Sequence, residues 1–228
     1  MGVLRKISGP LVVAGDMAGS QVNELVKIGE NGLIGEIIAL SKDEASIQVY
    51  EETSGLRPGE KVSSTGQSLS VELGPGLLGT VYDGTQRPLE KIRAKAGNFI
   101  TRGISVNSLE RGAEWKFLAK VKNGDSVREG DILGAVREKN IEHRILVPAG
   151  IKGKVSNIKD GSFRVTEAVC KVGGEEVPML QKWPVRVPRK YRENKDIEPP
   201  LITGKRIFDT LFPIAKGGAV CIPGPFGS

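Results

Sequence analysis

LIGEIIALSKDEASIQVY, residues Leu33–Tyr50, is the stretch on which the fold turns. An apolar run from Leu33 to Leu40 meets the polar turn Ser41-Lys42-Asp43-Glu44, and a second run follows from Ala45 to Tyr50. In that second run Ile47 and Val49 alternate with Gln48, the period of two that marks a half-buried strand. Two β-prone runs joined by a short polar turn predict a hairpin. Working outward, Ile7-Ser8-Gly9-Pro10 leads into Leu11–Ala14, and Leu25–Ile28 ends at Gly29. Short strands at close spacing, punctuated by Gly and Pro, predict a small closed barrel of the six-stranded type over residues 1–66, because closure removes exposed edges. Such barrels serve binding or assembly. Glu51 and Glu52 are neighbours on a strand and point to opposite faces, so they read as surface charges rather than a catalytic pair.

Downstream the pattern changes three times. Residues 67–110 form a connecting segment with a hard turn at Gly74-Pro75-Gly76 and one short helix. In that helix Pro88 suits the first turn, Leu89, Ile92 and Ala96 share a face, and Gly97 stops it. Residues 111–183 form a second β-rich module. Trp115, Phe117, Ala119 and Val121 alternate with polar residues, Gly124-Asp125 and Gly130-Asp131 mark turns, and Lys154–Val165 with its Asp160-Gly161 turn predicts a hairpin. Residues 184–228 begin with a basic, proline-bearing connector around Arg186–Arg192. A helix capped by Thr203 and ended by Pro213 follows, then an apolar strand, Ala219–Ile222.

Composition narrows the function classes. The 33 Lys and Arg against 27 Asp and Glu leave a net charge of +6, but the cations are interspersed with acids, and aromatic residues make up only 5%. That combination argues against a nucleic-acid binder, which needs a basic footprint and stacking platforms. Two cysteines, Cys170 and Cys221, cannot build a disulfide framework or a zinc site and read as buried free thiols in a cytoplasmic protein. No apolar run reaches the roughly twenty residues of a membrane span, and no signal peptide precedes the first strand. The lone histidine, His143, has no partners at metal-ligand spacing and reads as a surface or strand-edge residue. Lys152, in Gly150-Ile151-Lys152-Gly153, raises a second reading, a biotinyl- or lipoyl-like carrier with its lysine at a hairpin tip, although it lacks the flanking acid or methionines such carriers use.

The chemistry-bearing motif lies at KGGAVCIPGPFGS, Lys216–Ser228. A phosphate-binding loop reads Gly, four residues, then Gly-Lys-Ser/Thr. Gly224 opens that pattern, and Pro225, Phe226, Gly227 and Ser228 fill the four free places, so these five are the candidate nucleotide-binding residues. An apolar strand feeding a glycine-rich turn is where backbone N–H groups can receive phosphate charge. Read alone, the same stretch also fits a generic surface turn. The 228 residues contain no Gly-Lys-Ser/Thr triplet, so no catalytic residue and no metal ligand is assigned within them.

Five separated blocks then agree with one family: IQVYEETSGLRPGE (Ile47–Glu60), SLSVELGPGLL (Ser68–Leu78), YDGTQRPLE (Tyr82–Glu90), QKWPVR (Gln181–Arg186) and the long block from Pro200 to Ser228. Over essentially its whole length the chain resembles the catalytic A subunits of archaeal/vacuolar-type rotary ATPases. The resemblance implies an amino-terminal piece ending inside the phosphate loop, with the barrel joining alternating A and B subunits in an A3B3 ring. It implies residues 111–183 as the outward insertion of these subunits, near the stator, and residues from 184 on as the opening of an α/β nucleotide domain. It further implies ATP or ADP with Mg²⁺ as ligands of the parent enzyme, central- and peripheral-stalk subunits as partners, and a peripheral position on the cytoplasmic side of a membrane. The parent would make or hydrolyse ATP coupled to H⁺ or Na⁺ movement, whereas the 228-residue piece is expected to be inactive and to bind nucleotide poorly. Lys205 and Cys221 depart from the Gln and Ala common in the family, and neither position touches phosphate.

Overall fold

A computed structural model describes all residues except 192, 194, 195, 197, 198 and 226–228. The protein is mainly β, with sixteen strands and two short helices among the described residues, and it divides into two compact units, Met1–Pro188 and Arg189–Ser228.

The hairpin that set the expectation is present as β4 (Leu33–Ser41) and β5 (Glu44–Val49), paired from Ser41↔Glu44 to Gly35↔Val49. Around it β1 (Gly2–Ser8), β2 (Leu11–Gly15), β3 (Glu24–Ile28) and β6 (Lys61–Ser68) complete a closed barrel in the order β1-β2-β5-β4-β3-β6. The alternation of the sequence becomes a division between inside and outside. Leu4, Val12, Val26, Ile28, Ile37, Ile47 and Val62 fill the interior, each such side chain contributing roughly 1.5–3 kcal/mol when taken from water.

Past the barrel, β7 (Ser70–Leu73) pairs not with its sequence neighbours but with β16 (Gln181–Pro184), so the chain leaves for the second β module and returns to the same ribbon. Helix α1 (Leu89–Ala96) forms between Pro88, its N-cap residue, and Gly97, whose φ of 79° lets its N–H return to the Arg93 carbonyl. Of the three apolar residues on its face, only Ile92 is fully buried.

The second module is two four-stranded sheets. One has the order β11-β10-β8-β13, built from β8 (Glu114–Ala119), β10 (Ile132–Glu138), β11 (Ile141–Leu146) and β13 (Gly161–Arg164). The other has the order β15-β14-β12-β9, built from β9 (Ser126–Arg128), β12 (Lys152–Ser156), β14 (Ala168–Val172) and β15 (Glu175–Pro178). They enclose a separate core around Phe117, Leu133, Val136, Ile145, Val155 and Val172. Phe117 meets Phe163 edge to face, with centroids 6.2 Å apart. A Cβ on Gly134 would lie 2.3 Å from the Phe117 ring, so that strand position admits only glycine.

Three local expectations change here. The hairpin expected over Lys154–Val165 does not form: β12 pairs with β9 and β14, while β13 pairs with β8 in the other sheet. The Asp160 carboxylate accepts the Ala119 N–H instead of closing a turn between partners. Phe163 and Val155 line the common core from opposite sheets, and burying both outweighs local pairing. Lys152 therefore begins a central strand opposite Arg128 and is not held out on a hairpin tip, which removes the carrier geometry. Of the two thiols, Cys170 is buried, and burial pushes its pKa up to about 11, but Cys221 is exposed.

Candidate functional site

Within the unit Arg189–Ser228, α2 (Arg206–Leu211) follows a β-extended Lys205. Thr203 does not cap it as the sequence suggests. Asp209 reaches back and accepts N–H bonds from Thr203 (2.9 Å) and Gly204 (3.0 Å) and the Thr203 hydroxyl (2.7 Å). The Thr203 backbone and side-chain bonds, with that from Gly204, hold the Asp209 carboxyl below its usual range. A bridge between Pro200 and Ala215 closes the segment, with the Leu201 N–H on the Ile214 carbonyl at 2.7 Å.

The strand expected at Ala219–Ile222 is absent, and these residues are exposed without regular pairing. A strand exists only through hydrogen bonds to a neighbour, and none is offered among the described residues. Gly224 and Pro225 continue this exposed stretch; Phe226, Gly227 and Ser228 lie outside the described residues. Gly224 and Pro225 contribute no oxygen-bearing side chain. Among the described residues no three His, Cys, Asp or Glu side chains cluster as a metal site. Gly224 and Pro225 therefore offer a Mg²⁺ ion no side-chain ligand.

Sequence reading missed a set of buried and half-buried carboxylates that tie the unit Met1–Pro188 together. Glu36, on β4, is buried in the barrel wall. It accepts both Nε (2.9 Å) and Nη2 (2.7 Å) of Arg186 on one oxygen and the Tyr50 hydroxyl on the other. Burial, then the bond to Glu36, pushes the Tyr50 phenol up to about 12. Arg186 thus anchors the returning chain to the barrel, whereas the sequence shows it only as part of a basic, proline-bearing connector. Glu51 is likewise no surface charge: its side chain is only 10% exposed, and it receives Arg87 Nη1 at 3.3 Å and the Gly103 N–H at 2.8 Å. Arg87 also binds Asp83 at 2.7 Å. Glu72 holds Arg111 at 2.5 Å and the Leu109 N–H at 3.3 Å.

The fourth carboxylate, Glu138, ends β10 and is 2% exposed. One oxygen accepts the N–H groups of Gly76 (2.8 Å) and Leu78 (3.1 Å), and the other lies 2.6 Å from His143 Nδ1. Burial raises its pKa, but the bonds from His143, Leu78 and Gly76 outweigh it, so the group stays below the ordinary glutamate value. His143 lies on the edge strand β11, as the sequence suggests, and is in addition the partner of a buried acid. The local pattern carried no signal for Glu36: it stands opposite Gln48 and alternates with the inward Ile37, so it lies on the outer wall, where Tyr50 and Arg186 cover it.

Two family models match the chain. Residues 5–66 match the ATP synthase alpha/beta family beta-barrel domain, and residues 106–186 match the ATP synthase alpha/beta subunit barrel-sandwich domain. The V-type ATP synthase alpha chain of Thermoanaerobacter sp. (strain X514) is 54% identical over 233 aligned positions, covering 100% of this chain and 40% of its own length. The chain belongs to the V-type ATP synthase alpha-chain family. The alpha chain of Acetivibrio thermocellus is likewise 54% identical with the same coverage. That of Clostridium novyi (strain NT) is 54% identical over 98% of this chain and 39% of its own. The chain thus spans about 40% of the length of these relatives and corresponds to the amino-terminal part of the V-type alpha chain. The closed barrel and the two-sheet module of the structure fall on the two matched regions.

Proposed function

We propose that this chain supplies the barrel and insertion of the catalytic subunit of a V-type rotary ATPase, whose parent makes or hydrolyses ATP coupled to H⁺ or Na⁺ transport. The observation that carries this reading is identity of 54% across the entire chain to V-type ATP synthase alpha chains. In that role the barrel packs beside B subunits in an alternating A3B3 ring, and the insertion is an outward contact surface for peripheral-stalk subunits. The central stalk turns within the ring, and the whole assembly is peripheral on the cytoplasmic side of its membrane. No described helix is long and apolar enough to cross one.

Phosphoryl transfer depends on charge neutralisation by a phosphate-loop lysine and Mg²⁺. Gly224–Ser228 would cradle the phosphates of ATP or ADP in the parent, but these 228 residues carry no Gly-Lys-Ser/Thr triplet. The chain by itself is accordingly an assembly element with no ATPase activity. The test is co-expression with a B-type subunit: the two should co-purify in a stoichiometric complex, and the 228-residue chain alone should show no turnover. Failure to associate sinks the assembly role, and turnover that tracks the purified chain sinks the claim of inactivity.

A further inference from the structure

The outward face of the β15-β14-β12-β9 sheet carries its charges unevenly. Its inward residues Val127, Val155 and Val172 are buried, so Ser126, Arg128, Lys152, Lys154, Ser156 and Lys171 point outward by strand alternation. At one side of the sheet Lys171 stands opposite Glu176 and binds it at 3.1 Å, a complementary cross-strand pair. At the other side Lys152 stands directly opposite Arg128, with Lys154 two residues along on the same face. All three are exposed, and no ion pair to an acid is found for any of them among the described residues. Like charges directly opposite across a ladder destabilise a sheet. The fold thus contains a counter-charged pair and a like-charged pair on one face, and no side-chain ion pair answers the second among the described residues.

We infer that Arg128, Lys152 and Lys154 form a docking face for an acidic helical segment of a partner protein. This rests on the reading that the insertion is a contact surface, and it adds the chemistry of the contact. Lys152 and Lys154 are about 7 Å apart along the strand, and Arg128 lies about 5 Å across from Lys152. Glutamates at i and i+4 on a helix stand about 6 Å apart, so one such pair can reach two of the cations at once. A nucleic acid is the poorer occupant, because the face presents no aromatic residue for stacking and three cations make a small phosphate footprint.

The experiment uses the full 228-residue chain and a fluorescent Ala-rich helical peptide with glutamates at i, i+4 spacing. Binding should be measurable at low salt and weaken steeply as ionic strength rises. The triple variant Arg128→Gln, Lys152→Gln, Lys154→Gln should weaken it at least tenfold. An equal charge change on the barrel, Lys6→Gln, Lys27→Gln, Lys61→Gln, should weaken it less than twofold. Equal losses in the two variants, no binding at low salt, or tighter binding of a DNA duplex of matched charge would each overturn the inference. None of those results bears on co-purification with a B-type subunit, so the contact chemistry and the assembly role fail separately. As a check on the like-charge premise, Arg128→Glu should raise the melting temperature of the chain, and an unchanged or lower value would count against it.

Discussion

The hairpin strand Glu44–Val49 and the stretch Ala219–Ile222 look alike on paper, since both are short, carry a Val and an Ile, and are bounded by turn residues. One is a barrel strand hydrogen-bonded on both sides, to β2 and to β4. The other is exposed chain, with Ile222 90% accessible. The difference is not propensity but the presence of neighbours. A strand is a property of a sheet, and a β-prone segment whose partners are missing stays unpaired however apolar it is.

That contrast can be broken most directly by truncating one isoleucine in each. Ile47→Ala, which empties a fully buried barrel position, should cost about 2–5 kcal/mol in denaturant unfolding, while Ile222→Ala should stay within about 0.5 kcal/mol. Amide exchange gives the same comparison without mutation: Ile47 and Val49 should exchange only on barrel opening, and Val220–Ile222 within the dead time of the measurement. Comparable protection in the two segments would mean that Ala219–Ile222 has a partner after all.

A smaller effect is expected at the joint between the modules. Glu138→Ala leaves the Gly76 and Leu78 N–H groups without their acceptor, which should cost about 1–3 kcal/mol and speed exchange at those two amides. Because the folded-state pKa of Glu138 is depressed, its contribution is present above the unfolded carboxylate range and is lost as pH falls through the lower folded value. Acid should therefore erode the stability of the wild-type chain more than that of Glu138→Ala, and parallel acid curves would remove Glu138 from the account. The smallest effect is at Tyr50. Its folded pKa is raised to about 12, so its contribution is intact below about 10, the unfolded tyrosine value, and is lost as pH climbs toward 12. Burial raises Tyr82 as well, so absorbance titration should show more than one tyrosine ionising late in the wild type, and Tyr50→Phe should remove one tyrosine's share of that late change.

The parts of the fold readable in advance were those with local causes. Lys42-Asp43 between alternating runs specifies the β4–β5 hairpin, and Pro88 and Gly97 bracket α1 closely. What escaped reading was set by distant partners. Nothing local says that Lys152–Ser156 and Gly161–Arg164 join different sheets, because that follows from filling a shared core around Phe117. Glu51 and Arg186 looked like solvated charges because their partners, Arg87 and Glu36, lie 36 and 150 residues away. For the candidate site, Gly224–Ser228 were legible as a motif, whereas the cradle they suggest requires a neighbouring sheet that a linear pattern does not supply.

Closure of the β1–β6 ring has a consequence for recognition. A barrel with every strand paired on both sides offers no backbone edge to which another chain can add a strand. Any neighbour must be told apart by the side chains on the outer wall, such as Val3, Leu11 and Ile38, all partly exposed there. Two barrels with the same backbone can then accept different neighbours, with the difference written only in their outward-facing residues.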